Sequence, residues 1–189
     1  MLVGIPSTLE IESQITCAYE NLGFLALGFF VLHIGGRSFG EREPNASMLA
    51  CSFDEVGMRL GRRGTHTADF WNAEALSLAT SLREAMYLPE TPAVTRSGVP
   101  AAEFSEKVCS HHLLWAPDGD EAFDDSSYVL HFDADDSVRL IAFRCLGTGH
   151  PDPESLREAC LSSDGFYGIL AEWHARFEAE WRQASKVVP

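Results

Sequence analysis

At 189 residues and 46% hydrophobic, the chain is long enough to bury a core without metal or disulfide staples and too apolar to be disordered. Its 28 acidic against 14 basic side chains leave a formal charge of −14. That charge disfavours nucleic acid and anionic lipid by like-charge repulsion, and a macromolecular partner is expected to be basic. No apolar run reaches the ~18 residues needed to cross a bilayer. The opening segment has no basic stretch followed by an apolar one, so it does not read as a secretory leader. Five cysteines with no CxxC pair fit reduced, mostly buried thiols. One soluble, cytoplasmic domain over residues 1–189 is expected.

Taken in order, Leu9, Ile11, Ser13 and Ile15 alternate with Glu10, Glu12 and Gln14, which predicts a half-exposed strand. Phe24–Ile34 is apolar on both faces and predicts a buried, central strand ending at the easy turn of Gly35 and Gly36. His33 at its end reads as a hydrogen-bonded structural residue. Phe53, Val56 and Leu60 then recur at helical spacing, with Arg59, Arg62 and Arg63 on another face. Such a cluster could grip an acidic group, but a solvated face or pairing with surplus carboxylates is the plainer reading. A second helix, Asn72–Tyr87, follows from the stripe of Trp71, Ala75, Leu78, Leu82 and Met86, with Asp69 as cap and Leu88-Pro89 as stop.

Pro89–Ala102, rich in Pro, Thr and Gly, predicts a mobile excursion within the same domain. Cys109–Trp115 predicts a strand in which His111 and His112 point to opposite faces and cannot chelate one metal. His111 and His131 could meet across strands, but no third ligand stands at zinc spacing. Ser127–Leu146 predicts two strands joined by an acidic turn, since Tyr128, Leu130 and Phe132 share a face and the return run from Val138 is apolar except at Arg139 and Arg144. The first arm should be half-buried and the second central. Arg139 should therefore be paired with a carboxylate or carbonyls, because an unpaired charge there would be costly.

The most polarised stretch, Asp118 to Asp136, holds Asp118, Asp120, Glu121, Asp124, Asp125, Asp133, Asp135 and Asp136, with no Lys or Arg among them. The EF-hand order of ligands is absent, which argues against a calcium loop. Paired catalytic carboxylates need unlike environments, whereas these residues read as wet loops. Two readings stand: a solvated loop, and a docking surface for a basic partner. After an ambiguous Leu156–Leu161, a final helix, Asp164–Ala184, carries Phe166, Ile169, Leu170, Trp173, Phe177 and Trp181 as one stripe, capped by Ser163 or Asp164. These elements predict an α+β fold, a mainly antiparallel sheet with two principal helices packed on it. No GxSxG, P-loop or dinucleotide turn is present, so neither a catalytic residue nor a cofactor is assigned.

Four stretches carry a family resemblance: Leu2–Ile11, with Gly4 and Pro6 ahead of the alternating strand; FFVLHIGGR at Phe29–Arg37; SYVLHFD…VRLIAFR at Ser127–Arg144; and SSDGFYGILAEWHARFEAEW at Ser162–Trp181. Together they resemble the immunity protein 42 family of bacterial polymorphic toxin systems over nearly the whole chain. The resemblance implies a non-enzymatic protein that binds a cognate toxin made by the same cell, and it transfers no catalytic residues. The alternatives from the residues alone are a small-molecule or calcium-binding domain and a Cys- or His-dependent enzyme.

Overall fold

The structure, a computed structural model, describes residues 1–21, 25–88, 91–117 and 121–187. Strand β1 (Leu2–Ile5) pairs antiparallel with β2 (Leu9–Tyr19), where Leu9, Ile11 and Ser13 point inward as their alternation predicts. A bulge between Ile15 and Cys17 then shifts the phase, so that Ala18 is the next buried side chain. Opposite the bulge the strands approach so closely that a Cβ on Gly28 would sit 1.9 Å from the Gln14 carbonyl oxygen. Strand β3 (Ala26–Ile34) is central and buried, as expected; Phe24 lies outside the described residues. It also pairs with β4 (Arg37–Phe39) at one end and β5 (Ser47–Met48) at the other.

Helices α1 (Ala50–Gly61) and α2 (Ala75–Met86) follow. The second starts later than Asn72, because the Glu74 carboxylate caps it by accepting the amides of Leu76 at 3.0 Å and Ser77 at 2.7 Å. Asp69 does not cap, and Trp71 lies in the preceding turn, 36% exposed, instead of on the stripe. Within the expected excursion, residues 91–100 are pinned to α2: Ser81 Oγ accepts from the Ser97 amide at 2.8 Å, and Glu84 accepts from the Arg96 amide at 2.7 Å. Pro89 lies outside the described residues. A further helix, α3 (Ala101–Ser110), takes Cys109 and Ser110 from the start of the strand expected at Cys109–Trp115. That strand shrinks to β6 (Leu114–Ala116), and His111 and His112 sit in the turn before it.

The hairpin is present as β7 (Ser127–Ala134) and β8 (Ser137–Arg144), turning at Asp135, whose φ of 51° is left-handed. Strand β9 (Arg157–Ser162) settles the ambiguous stretch as an edge strand, and helix α4 (Ser163–Gln183) is capped one residue earlier than expected, by Ser162. A short β10 (Lys186–Val187) pairs parallel to β2.

The fold is α+β with mainly antiparallel strands, divided between two sheets: β1–β5 with β10, and β6-β7-β8-β9. Both arms of the hairpin are inner strands, so the first is buried on both faces instead of one. One face of the second sheet, with Val129, Val138 and Leu140, joins the first sheet, α1 and α4 in one apolar cluster; Trp173, Phe30 and Phe177 lie at its centre. The opposite face, with Leu130, Phe132 and Ile141, packs on α2 and α3. The cysteines are not core residues: Cys51, Cys109 and Cys160 are exposed, Cys17 and Cys145 half-buried, and no disulfide joins them.

Arg139 is paired as its place in β8 requires. Nε and Nη2 each lie 3.0 Å from the Glu158 carboxylate, and Nη1 donates to the carbonyls of Trp71 and Ala73. The fork ties β8 and β9 to the entry of α2. Arg139→Ala is expected to cost about 2 kcal/mol, a typical loss for charge-assisted hydrogen bonds with a partly exposed acid. Denaturant titration checks this; unchanged stability would show that the fork holds nothing.

Candidate partner-binding surface and buried polar network

The eight acidic candidates do not share one surface. Asp118 and Asp120 lie outside the described residues. Glu121 and Asp124 are exposed at a 3-10 turn before β7, and Asp135 and Asp136 are exposed at the turn after it. The length of β7 separates the two groups by ~23 Å. Asp125 is committed to structure: its carboxylate accepts from Arg144 Nη2 at 2.6 Å, the Gly40 amide at 3.0 Å and the Ser127 amide at 3.1 Å. Asp133, expected in a wet connection, belongs to β7 and is 6% exposed.

At the β7–β8 turn, two adjoining hollows share Asp135. One, of about 530 Å³, is lined by Arg63, Asp136, Ser163 and Asp164; the other, of about 360 Å³, by Thr67, Asp69, Trp71 and Asp133. Arg63 is already paired with Asp164 at 2.5 Å, so the rim stays predominantly acidic. At the other end, Glu41 and Glu43 join Glu121 and Asp124 around a hollow of about 300 Å³. The Glu41 amide donates to the Ala122 carbonyl at 2.8 Å and draws the loops together. Glu41, Glu43, Asp69 and Asp164 were absent from the sequence candidates because chain order separates them from the acidic stretch. Only the fold brings them to it.

Asp133 faces inward because it shares the Val129 face of β7, and that face lies against the first cluster. Its oxygens accept from Tyr167 Oη at 2.9 and 3.0 Å and from the His66 amide at 3.0 Å. Burial alone would raise this carboxyl, but His131, the His66 amide and Tyr167 outweigh it and bring it down to about 2. Burial first, and then the hydrogen bond to Asp133, push the Tyr167 phenol up, so Tyr167 stays a donor. Arg59, from α1, is 1% exposed. It donates to His131 Nδ1 at 2.8 Å and to the Leu114 carbonyl at 2.7 Å, pairs with Glu55 at 2.8 Å and lies over the Trp115 ring at 5.3 Å. The predicted arginine face is therefore split. Arg59 is internal, while Arg62 and Arg63 are exposed.

His66 Nδ1 lies 3.0 and 3.1 Å from the carbonyl oxygens of His111 and His112, and its ring is 4.4 Å from that of His131. His131 therefore meets His66 from a loop and not His111 from a strand. Neither buried ring has a hydroxyl or thiol partner among the described residues. The described residues include no group of three or more His, Cys, Asp or Glu placed to hold a metal ion. His33 pairs with Glu12 at 2.9 Å, which keeps it structural. Among the described residues, no helix is long and apolar enough to cross a membrane.

The architecture has a solved counterpart. The crystal structure of CdiI from Burkholderia dolosa AUO158 matches with a TM-score of 0.58 over 93% of this chain and 99% of that chain, at 16% sequence identity. No curated protein matches the sequence. The family model of immunity protein 42 matches residues 1–176, and the chain belongs to that family of immunity proteins.

Proposed function

We propose that the protein neutralises a cognate toxin stoichiometrically in the producer's cytoplasm, as one non-enzymatic domain, by presenting carboxylates to a basic surface such as the substrate groove of a nuclease. The family match over residues 1–176 carries this reading. The charge of −14 supports a basic partner, and the exposed carboxylates around the β7–β8 turn support a place for it. Trp71 at that rim adds the kind of side chain that anchors interfaces, whereas rim charges mainly set the association rate.

The test separates the two acidic ends. One variant carries Asp69→Asn, Asp135→Asn and Asp136→Asn; the other carries Glu41→Gln, Glu43→Gln, Glu121→Gln and Asp124→Asn. Asp125 and Asp133 are left intact because their carboxylates hold the fold. Neutralising the docking end is expected to slow association with the isolated toxin by ~10-fold or more at low salt, with the difference shrinking at high salt. If both variants match the unmodified protein in rate, affinity and salt dependence, the acidic surfaces serve solubility and docking lies elsewhere.

A further inference from the structure

Geometry fixes the protonation of the two buried histidines. His66 Nδ1 faces only carbonyl oxygens, of His111 and His112, so it carries the hydrogen and Nε2 is a bare lone pair. His131 is the reverse: Arg59 Nη1, which can only donate, lies 2.8 Å from its Nδ1, so the hydrogen sits on Nε2, 3.5 Å from Asp133 Oδ1. Both rings are 0% exposed, and neither Nε2 has a hydrogen-bond partner among the described residues. Each imidazole is therefore neutral, and each has one place left for a proton.

Neither place can take it. A second proton on His131 must enter at Nδ1, directly against the Arg59 guanidinium, breaking that hydrogen bond and setting two cations in contact. A second proton on His66 must enter at Nε2, which has no acceptor among the described residues. The acids nearby are already engaged, Asp133 by Tyr167 and the His66 amide, Glu55 by Arg59. The other groups packed on the cluster are Phe166, 4.6 Å from the His131 ring, Trp115 beyond Arg59, and Arg63 over the outer face of Tyr167 at 5.1 Å. Arg63 adds another positive charge and no relief.

We propose that this cluster is an acid-operated latch, in which protonating His66 or His131 parts α1, β7 and α4. The direction follows from linkage. Burial, then Arg59, lowers His66 to about 4, and burial lowers His131 to about 3 despite Asp133, whereas an unfolded histidine titrates near ~6.5. The folded state thus binds fewer protons than the unfolded one in that window. The stability is fully present above the unfolded value and is lost as pH falls toward 4. Asp133, held at about 2, stays ionised throughout. Because Asp133 also lines the hollow beside Trp71 and Asp135, opening the latch deforms that acidic face.

The test follows near-UV circular dichroism from pH 8 to 3.5 in the unmodified protein and in a His66→Gln/His131→Gln variant. Glutamine can donate to the carbonyls and accept from Arg59 but cannot ionise. The unmodified protein is expected to lose its near-UV signal with a midpoint between about pH 4 and 6, and the variant at least ~1 unit lower. Should the variant fail to fold, nitrogen-15 NMR of the unmodified protein decides at pH 7: His66 must appear as the Nδ1–H and His131 as the Nε2–H tautomer. A native signal persisting at pH 4, a folded variant with an unmoved midpoint, or the opposite tautomer at either ring overturns the proposal.

Discussion

Replacing Arg59 with alanine is expected to lower the unfolding free energy by ~3–5 kcal/mol, the range for removing one partner of a buried charge network. The loss has two sources. The carbonyls of His112 and Leu114, His131 Nδ1 and Glu55 lose a shared donor, and the guanidinium leaves an empty space beside Trp115. Arg59→Met separates them, because methionine refills much of the space and supplies no donor. If orphaned acceptors dominate, the methionine variant is as unstable as the alanine one; if packing dominates, most of the loss is recovered. Guanidinium titration followed by tryptophan fluorescence reads both. For a domain of ordinary stability, a loss below ~1 kcal/mol for alanine would mean that the network is not what joins α1 to β6 and β7.

Trp173→Ala should have a comparable effect by a different route. The indole is fully buried, meets Phe30 edge-on with ring centroids 5.0 Å apart, and stacks on Phe177 at 5.1 Å. Its Nε1 donates to Ser13 Oγ at 3.0 Å, so α4 is fixed to β2 by packing and by one directed bond. Truncation leaves a cavity that the surrounding rings cannot fill and is expected to cost ~3–5 kcal/mol, lowering Tm by roughly 10 °C. Trp173→Phe keeps most of the apolar volume and loses the hydrogen bond, so about 1–2 kcal/mol is expected. Thermal unfolding of the pair decides the point. Equal losses would place the energy in the Ser13 bond instead of the packing.

How much of this was readable depends on the distance over which each feature is determined. Alternation of Leu9, Ile11 and Ser13, and the helical stripe from Phe166 to Phe177, are local patterns; β2 and α4 form where they point. The stripe Ala101, Phe104, Val108 was also there to be read, and buries the face of α3. The neighbouring Pro-rich run and the β-like VCSHHLLW obscured it. The division of strands between two sheets is not local, because a strand's sequence reports burial and not its neighbour. Asp133 shows the same limit. With Asp135 and Asp136 it reads as part of a wet acidic turn, whereas it lies in β7 facing opposite to Tyr128, Leu130 and Phe132, and burial of both faces of the second sheet turns it inward. Its partners His66 and Tyr167 come from a loop and a helix far along the chain, so nothing near it in the sequence announces the network.

The first and last described strands lie along the same neighbour, since β1 and β10 both pair with β2. Near them, Ser13 meets Trp173 across 160 residues of chain, and the Tyr19 carbonyl meets Trp181 across 162. These are contacts of very high contact order, whose loop-closure entropy must be met before any stabilisation returns. A chain emerging from the ribosome can form the β1–β2 pair early, but it cannot seal the β2 side of the core until α4 has been synthesised. For an immunity protein, the interval between starting the chain and closing this side of the core is set by the synthesis of α4.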